Sequence, residues 1–202
     1  MENWGPYIYR ELGIRKEKMN SIMKGSLSQI ANHNGASIAE TFVDADAVII
    51  VDTSGSMDAA DSRGGMKRYD VALEELAILQ NDLPGKLAII AFSNYPVFCP
   101  SGTPPFLAGM TDLATALDFA RVADLEDMRF ILISDGQPDD EAKALEAARA
   151  FENPIDVVYV GMESDSRAKR FLNDLARVSG GTSVTKERVM ELSEGVRKLL
   201  EA

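Results

Sequence analysis

Val48-Ile49-Ile50-Val51-Asp52-Thr53-Ser54-Gly55-Ser56 decides how this chain folds. Four consecutive β-branched residues make a strand that only a two-sided core accommodates. A strand covered on both faces reads as an unbroken apolar run, not an alternating one. The run ends in a carboxylate and two hydroxyls at i, i+2 and i+4. In open parallel sheets ligands sit just beyond the carboxyl ends of the strands, so these oxygens fall where such a sheet binds. Hard oxygen donors suit Mg²⁺ or Ca²⁺. A metal site is the expectation, although Asp-Thr-Ser-Gly-Ser alone also fits a turn closed by Asx and Ser bonds to its own backbone.

Working outward from this strand, apolar runs alternate with amphipathic stretches. Strands are expected over 46–52, 86–92, 129–134 and 155–160, with a weak edge strand near 95–99 and a short one at 182–185. Helices are expected over 66–82, 112–123, from Pro138 to about 151, over 166–178 and over 187–201. Polar residues 57–65 and the Pro/Gly-rich stretch from Pro100 to Gly109 read as loops. This alternation predicts an α/β fold: a doubly wound, mostly parallel, Rossmann-like sheet with helices on both faces. Residues 1–41 read as an N-terminal helical extension of a main domain over 42–202. Met19, Ile22, Met23, Leu27 and Ile30 recur at helical spacing, and Gly35 is a stop. The extension either packs that stripe on the main domain or offers it to a partner or a second copy.

At 202 residues the chain holds one large core but not two full-sized domains. The net charge of −11 argues against a nucleic-acid partner, because a phosphate backbone is repelled by most of such a surface. Residues 1–41 carry five bases and four acids, leaving 16 bases and 28 acids for the main domain. The basic cluster Arg15-Lys16-Lys18 is too small to reverse that balance. Cys99 is the single cysteine, so no internal disulfide forms, and it reads as a small buried apolar residue. The one histidine, His33, is far from it in sequence. Met1-Glu2-Asn3-Trp4-Gly5-Pro6 does not open a signal peptide. No run reaches the ~18 apolar residues of a membrane span. A cytoplasmic protein with no membrane partner is expected.

Two further segments matter: Asp135, in Ser134-Asp135-Gly136 at the end of a strand, and Gly109-Met110-Thr111-Asp112 before a helix. Right-handed crossovers put every parallel strand's carboxyl end on one edge. A doubly wound order makes the first and fourth strands neighbours, which brings Asp52 and Asp135 together. Asp139-Asp140-Glu141 reads as negative charge in a helix's first turn, where the dipole favours it. Asp58, Asp61 and Arg63 read as a solvated loop rim, and Asp44 and Asp46 as flanks of the strand.

Asp-x-Ser-x-Ser, a Thr in Gly-x-Thr-Asp, and an Asp ending a later strand together resemble the metal-ion-dependent adhesion site of von Willebrand factor A (VWA) domains. The resemblance covers about residues 44–202, and Asp52, Ser54, Ser56, Thr111 and Asp135 occupy the five liganding positions. Met110 stands where many relatives carry a second glycine. The resemblance implies Mg²⁺, with Ca²⁺ or Mn²⁺ as alternatives. Ser54, Ser56 and Thr111 would bind it directly, and Asp52 and Asp135 largely through water. Neutral hydroxyls leave such a metal electron-poor, so an Asp or Glu carboxylate of a partner protein is expected to complete its coordination. The implied role is an intracellular adaptor, working with an AAA-type ATPase or a multiprotein complex, and not an enzyme. One alternative is a Mg²⁺-dependent phosphatase-like enzyme, which needs a second carboxylate where Ser54 stands. Another is a component of a nucleic-acid-containing particle, although no P-loop and no Gly-x-Gly-x-x-Gly turn follows any strand.

Overall fold

Val48 to Val51 need cover on both sides, and the architecture supplies it. The computed structural model describes residues 22–62, 65–162 and 164–184. Helices α1 (Leu27–Asn34) and α2 (Ile38–Val43) lead into β1 (Ala47–Asp52). Helix α3 (Arg68–Asp82) joins β1 to β2 (Leu87–Phe92), which turns into β3 (Pro96–Phe98). Then follow α4 (Leu113–Ala120), β4 (Arg129–Ser134), α5 (Glu141–Arg149), β5 (Ile155–Tyr159), α6 (Ser166–Ser179) and β6 (Ser183–Val184). The sheet runs β3-β2-β1-β4-β5-β6, with only β3 antiparallel to its neighbour. β1 therefore sits in the middle, beside β4, as a doubly wound order requires.

Alternate residues of β1 feed two cores. Ile49 and Val51 join Ile89, Ile131 and Ile133 beneath Val71, Leu76 and Leu79 of α3. Val48 and Ile50 join Ile90, Phe130 and Leu132 on the opposite face, with Leu117 of α4, Ala144 of α5 and Leu172 of α6. All six β1 residues are buried, Asp52 included.

The helix starts depart from the expected ones for local reasons. Asp140 accepts the Lys143 N–H (3.0 Å) and caps α5, so the helix begins at Glu141 and Pro138 lies in the turn before the cap. The expected stretch 112–123 divides into α4, capped by Asp112, and a 3₁₀ turn over Arg121–Ala123. The expected terminal helix over 187–201 lies outside the described residues.

Met19 also lies outside them. The apolar stripe of the extension is not one continuous helix among the described residues. Gly25 has φ +81°, and a Cβ there would lie 1.7 Å from the Gln80 carbonyl oxygen. The chain turns at this point, and Ser26 caps α1 by accepting from the Gln29 N–H (3.3 Å). Ile22 and Met23 thus precede the helix that carries Leu27 and Ile30. Leu27 is part of the core, and the Met23 N–H donates to the Ser101 carbonyl (2.9 Å). Gly35, in the left-handed region at φ 67°, ends α1.

Candidate metal centre

The sheet register places the first pair of groups. Val51 pairs with Ile133, so Asp52 and Ser134 lie side by side at the carboxyl edge. The Ser134 hydroxyl donates to Asp52 Oδ2 (2.7 Å), and the Ser54 N–H donates to Asp52 Oδ1 (2.9 Å). Both carboxylate oxygens are thereby held, and Asp52 is fully buried. Burial, and after it the negative charge of Asp135, push its carboxyl up to about 6 from an ordinary 3.8, against the hydrogen bonds from Ser54 and Ser134.

Above this floor the chain leaves β1 through a 3₁₀ turn over Gly55–Asp58 that raises Ser56 to the exposed rim. Ser54 Oγ and Ser56 Oγ are 3.1 Å apart, and the Ser56 hydroxyl donates to Asp135 Oδ1 (2.8 Å). Asp52, Ser54, Ser56 and Asp135 therefore share one hydrogen-bonded cluster. Asp135 is itself buried, and Gly161 packs against its backbone, where an added Cβ would fall 2.3 Å from the Asp135 carbonyl oxygen. A Gly161→Ala variant is expected to lose about 1–3 kcal/mol through overpacking against this backbone. Urea denaturation measures it, and an unchanged midpoint would contradict the packing.

Thr111 is brought up by a separate loop. The Gly55 N–H donates to the Gly109 carbonyl (3.0 Å), which ties the Thr111 loop to the Ser54–Ser56 turn. Ser93 Oγ reaches the carbonyls of Ala108 and Met110, and Asn94 Oδ1 accepts the Met110 N–H (2.8 Å). Ala108 and Gly109 both lie at positive φ, 57° and 93°. For alanine that conformation is strained, and such strain collects at functional sites. From the other side the Asp139 carboxylate accepts the Thr111 N–H, and the Asp139 N–H donates to the Thr111 carbonyl (3.0 Å). Asp139 thus buttresses the loop and is not first-turn charge on α5; Asp140 is the cap, and Glu141 alone of the three lies in the first turn.

Arg68, the first residue of α3, is the buried cation of the site. Its Nη1 donates to Asp135 Oδ2 (2.6 Å), while Nε and Nη2 grip Asp61 (2.8 and 2.6 Å). Asp61 is therefore more than a solvated rim residue. Arg63 lies outside the described residues, and Asp58 pairs with Lys67 at the surface. Sequence reasoning missed Arg68, Asp139, Ser134 and Gly161. Only Ser134 carried a signal, its place beside Asp135 at a strand end. Nothing periodic marks an arginine that pairs with a carboxylate 67 residues away.

The donor set fits a small hard cation. Adjacent ligands of an octahedral Mg²⁺ at 2.0–2.1 Å lie about 3 Å apart, which matches the spacing of the Ser54 and Ser56 oxygens. Two buried carboxylates supply charge beneath them. Among the described residues no three His, Cys, Asp or Glu side chains cluster as a metal site.

No protein-family model matches this chain, and no curated protein matches it in sequence. Solved structures match its fold. The ArnB paralog VWA2 from Sulfolobus acidocaldarius aligns with a TM-score of 0.54 at 21% identity, over 73% of this chain and 42% of that one. A von Willebrand factor type A structure from Catenulispora acidiphila aligns with a TM-score of 0.56 at 20% identity, over 76% and 41%. The fold is VWA-like. The PilB minor pilin from Streptococcus sanguinis also shares it, with a TM-score of 0.60 at 14% identity, over 76% of this chain and 60% of the pilin. This chain spans less than two thirds of each of these neighbours, and at such identities the likeness is one of fold. In the VWA-like sheet, Asp52 and Asp135 stand at the two central strand ends.

Proposed function

We propose that this chain is a metal-dependent protein-binding module. Ser54, Ser56 and Thr111 would hold Mg²⁺ directly, with Ca²⁺ or Mn²⁺ as alternatives, while Asp52 and Asp135 balance its charge largely through water. The ion would supply a Lewis-acidic position for an Asp or Glu carboxylate of a partner protein. The observation that carries this reading is a pair of hydroxyls at metal-ligand spacing, buried Ser54 and rim-exposed Ser56, beside two buried carboxylates. The VWA-like fold supports a role in protein interaction. An AAA-type ATPase or a multiprotein complex is the setting the motif resemblance implies.

A binding role fits the chain's own groups better than catalysis. Asp52 is a poor phosphoryl acceptor, since it is fully buried and both oxygens are hydrogen-bonded. Cys99 is buried, and burial pushes its thiol up to about 11, away from reactivity. His33 is exposed in the last turn of α1. No helix among the described residues is long and apolar enough to cross a membrane.

Thermal unfolding with Mg²⁺ or with chelator tests the metal. At a hundredfold excess over Kd, Mg²⁺ is expected to stabilise the protein by about 2.7 kcal/mol. Ser54→Ala and Thr111→Ala are expected to abolish the gain. Affinity capture tests the binding role: partner recovery that is equal in Mg²⁺ and chelator, and equal for wild type and Thr111→Ala, would remove it.

Metal affinity is also expected to depend on pH, and Asp52 sets the sign. Its proton is held more tightly in the folded chain, at about 6, than at the ordinary 3.8. For this group the metal-free protein is most stable below about pH 4, loses stability as pH rises to about 6, and is level above that. Metal competes with that proton, so Mg²⁺ is expected to bind about tenfold more weakly at pH 5 than at pH 7. Calorimetric titrations at the two pH values measure the difference. Equal affinities would exclude Asp52 from the site's charge balance.

A further inference from the structure

Arg68 is an unusual residue to find beside a cation site, and its geometry assigns it a role. Its guanidinium shares Asp135 with the hydroxyl cluster: Nη1 is 2.6 Å from Oδ2, while Oδ1 accepts from Ser56 Oγ at 2.8 Å. The group is not free to swing. Asp61 clamps it through Nε and Nη2, and the Arg68 N–H donates to the Ala59 carbonyl (3.1 Å), which fixes the start of α3 beside the site. Arg68 and Asp135 are both buried, so water screens their interaction poorly.

We propose that Arg68 is a built-in counter-charge that holds the affinity of the metal site down, by occupying one side of Asp135 and repelling the divalent ion across it. It rests on the metal reading proposed above. Of the buried charges, Asp52 and Asp135 contribute two negative units and Arg68 returns one. A divalent ion held there keeps a net positive charge against those three groups, and an incoming carboxylate is drawn to that excess. Asp61 offsets it less, because its side chain is 34% exposed and screened by solvent. Without Arg68 the site would hold its cation more tightly and leave less charge for a partner. The arginine also answers a structural need, because the protein must bury Asp135 before any metal arrives, and a fixed cation makes that tolerable.

Calorimetric titration of the full chain with Mg²⁺, and separately with Mn²⁺, tests this in wild type, Arg68→Lys and Arg68→Gln, with thermal unfolding in chelator measured alongside. Glutamine can keep a hydrogen bond to Asp135 but carries no charge. It is expected to lower the unfolding midpoint in chelator and to bind the metal about tenfold more tightly. Lysine keeps the charge but loses the two-nitrogen grip on Asp61; with the charge retained beside Asp135 it is expected to stay within about threefold of wild type. If Arg68 merely positions Asp135, both variants bind more weakly, and that result overturns the proposal. Equal affinity of glutamine and wild type overturns it as well. A wild type that takes up neither ion overturns the metal reading itself, and this differs from both other failures. Should Arg68→Gln prove too unstable to titrate in isolation, a lysine variant that binds more than tenfold tighter or weaker than wild type still refutes charge as the controlling property.

Discussion

Asp52→Asn is expected to stabilise the metal-free protein while abolishing its response to Mg²⁺. The carboxylate is fully buried, and its proton affinity is raised to about 6 by burial and by Asp135. At pH 7 the folded state therefore carries a charge it would shed if it could. A rise of roughly two units corresponds to about 3 kcal/mol, and asparagine recovers a large part of it, about 2 kcal/mol. The geometry permits this. The amide oxygen can still accept the Ser54 N–H, and the Ser134 hydroxyl, which now donates to Oδ2, can rotate to accept from the amide nitrogen. Urea denaturation at pH 7 in chelator is expected to show the gain, and the same experiment in Mg²⁺ to show no further shift. At pH 4, where the wild-type carboxyl is protonated, the gain is expected to vanish. A less stable variant under all three conditions would mean that the carboxylate is compensated within the fold and its cost has been overstated. A gain in chelator together with no response to Mg²⁺ is what distinguishes a residue kept for binding from one kept for packing.

Phe130→Ala is expected to have a larger effect, of the opposite sign and unrelated to the metal. Phe130 is fully buried in the second residue of β4, packed edge-to-face on Phe151 with ring centroids 4.8 Å apart and planes at 81°. Removing a buried ring of this kind typically costs about 3–5 kcal/mol, from lost transfer energy and the cavity left behind. The core here is built from strands and four helices (α1, α4, α5 and α6) that meet on one face, and relaxation into the gap would require several elements to move together. Ser134 lies four residues further along the strand, about 13 Å away at the usual rise. The folded fraction of Phe130→Ala is therefore expected to bind Mg²⁺ as the wild type does. A loss below about 1 kcal/mol in denaturation would show that the site collapses readily.

Local pattern was enough to read the layered fold. An unbroken Val48–Val51 run is incompatible with a one-sided sheet, so helices on both faces follow from hydrophobicity alone. The alternation of such runs with amphipathic stretches leads to a parallel sheet, because parallel neighbours need crossover connections. Boundaries were less legible. Pro138 is compatible with a first turn, but the chain starts α5 where Asp140 can reach the Lys143 N–H. The stripe from Ile22 to Ile30 has helical spacing, yet Gly25 breaks it, because the Gln80 carbonyl leaves no room for anything but a glycine at positive φ. That obstacle lies 55 residues away and no local pattern encodes it.

The candidate site divides along the same line. Asp52, Ser54 and Ser56 converge through spacing within one strand end, and Asp135 joins them because a doubly wound order sets β1 beside β4. These are properties a linear pattern carries. Thr111 depends on more: the loop before it is held by Ser93, Asn94, Gly55 and Asp139, which belong to three other parts of the chain. Arg68 depends on the packed structure entirely. Whether a helix-starting arginine faces water or a buried carboxylate is settled by how α3 lies across the sheet, and the net charge beneath the site is halved by the answer. Hydrophobic periodicity specifies which face of an element is buried, since burial is additive and local. Charge pairing across the sheet edge is neither, because it depends on angstrom distances between groups that meet only after the layers have packed.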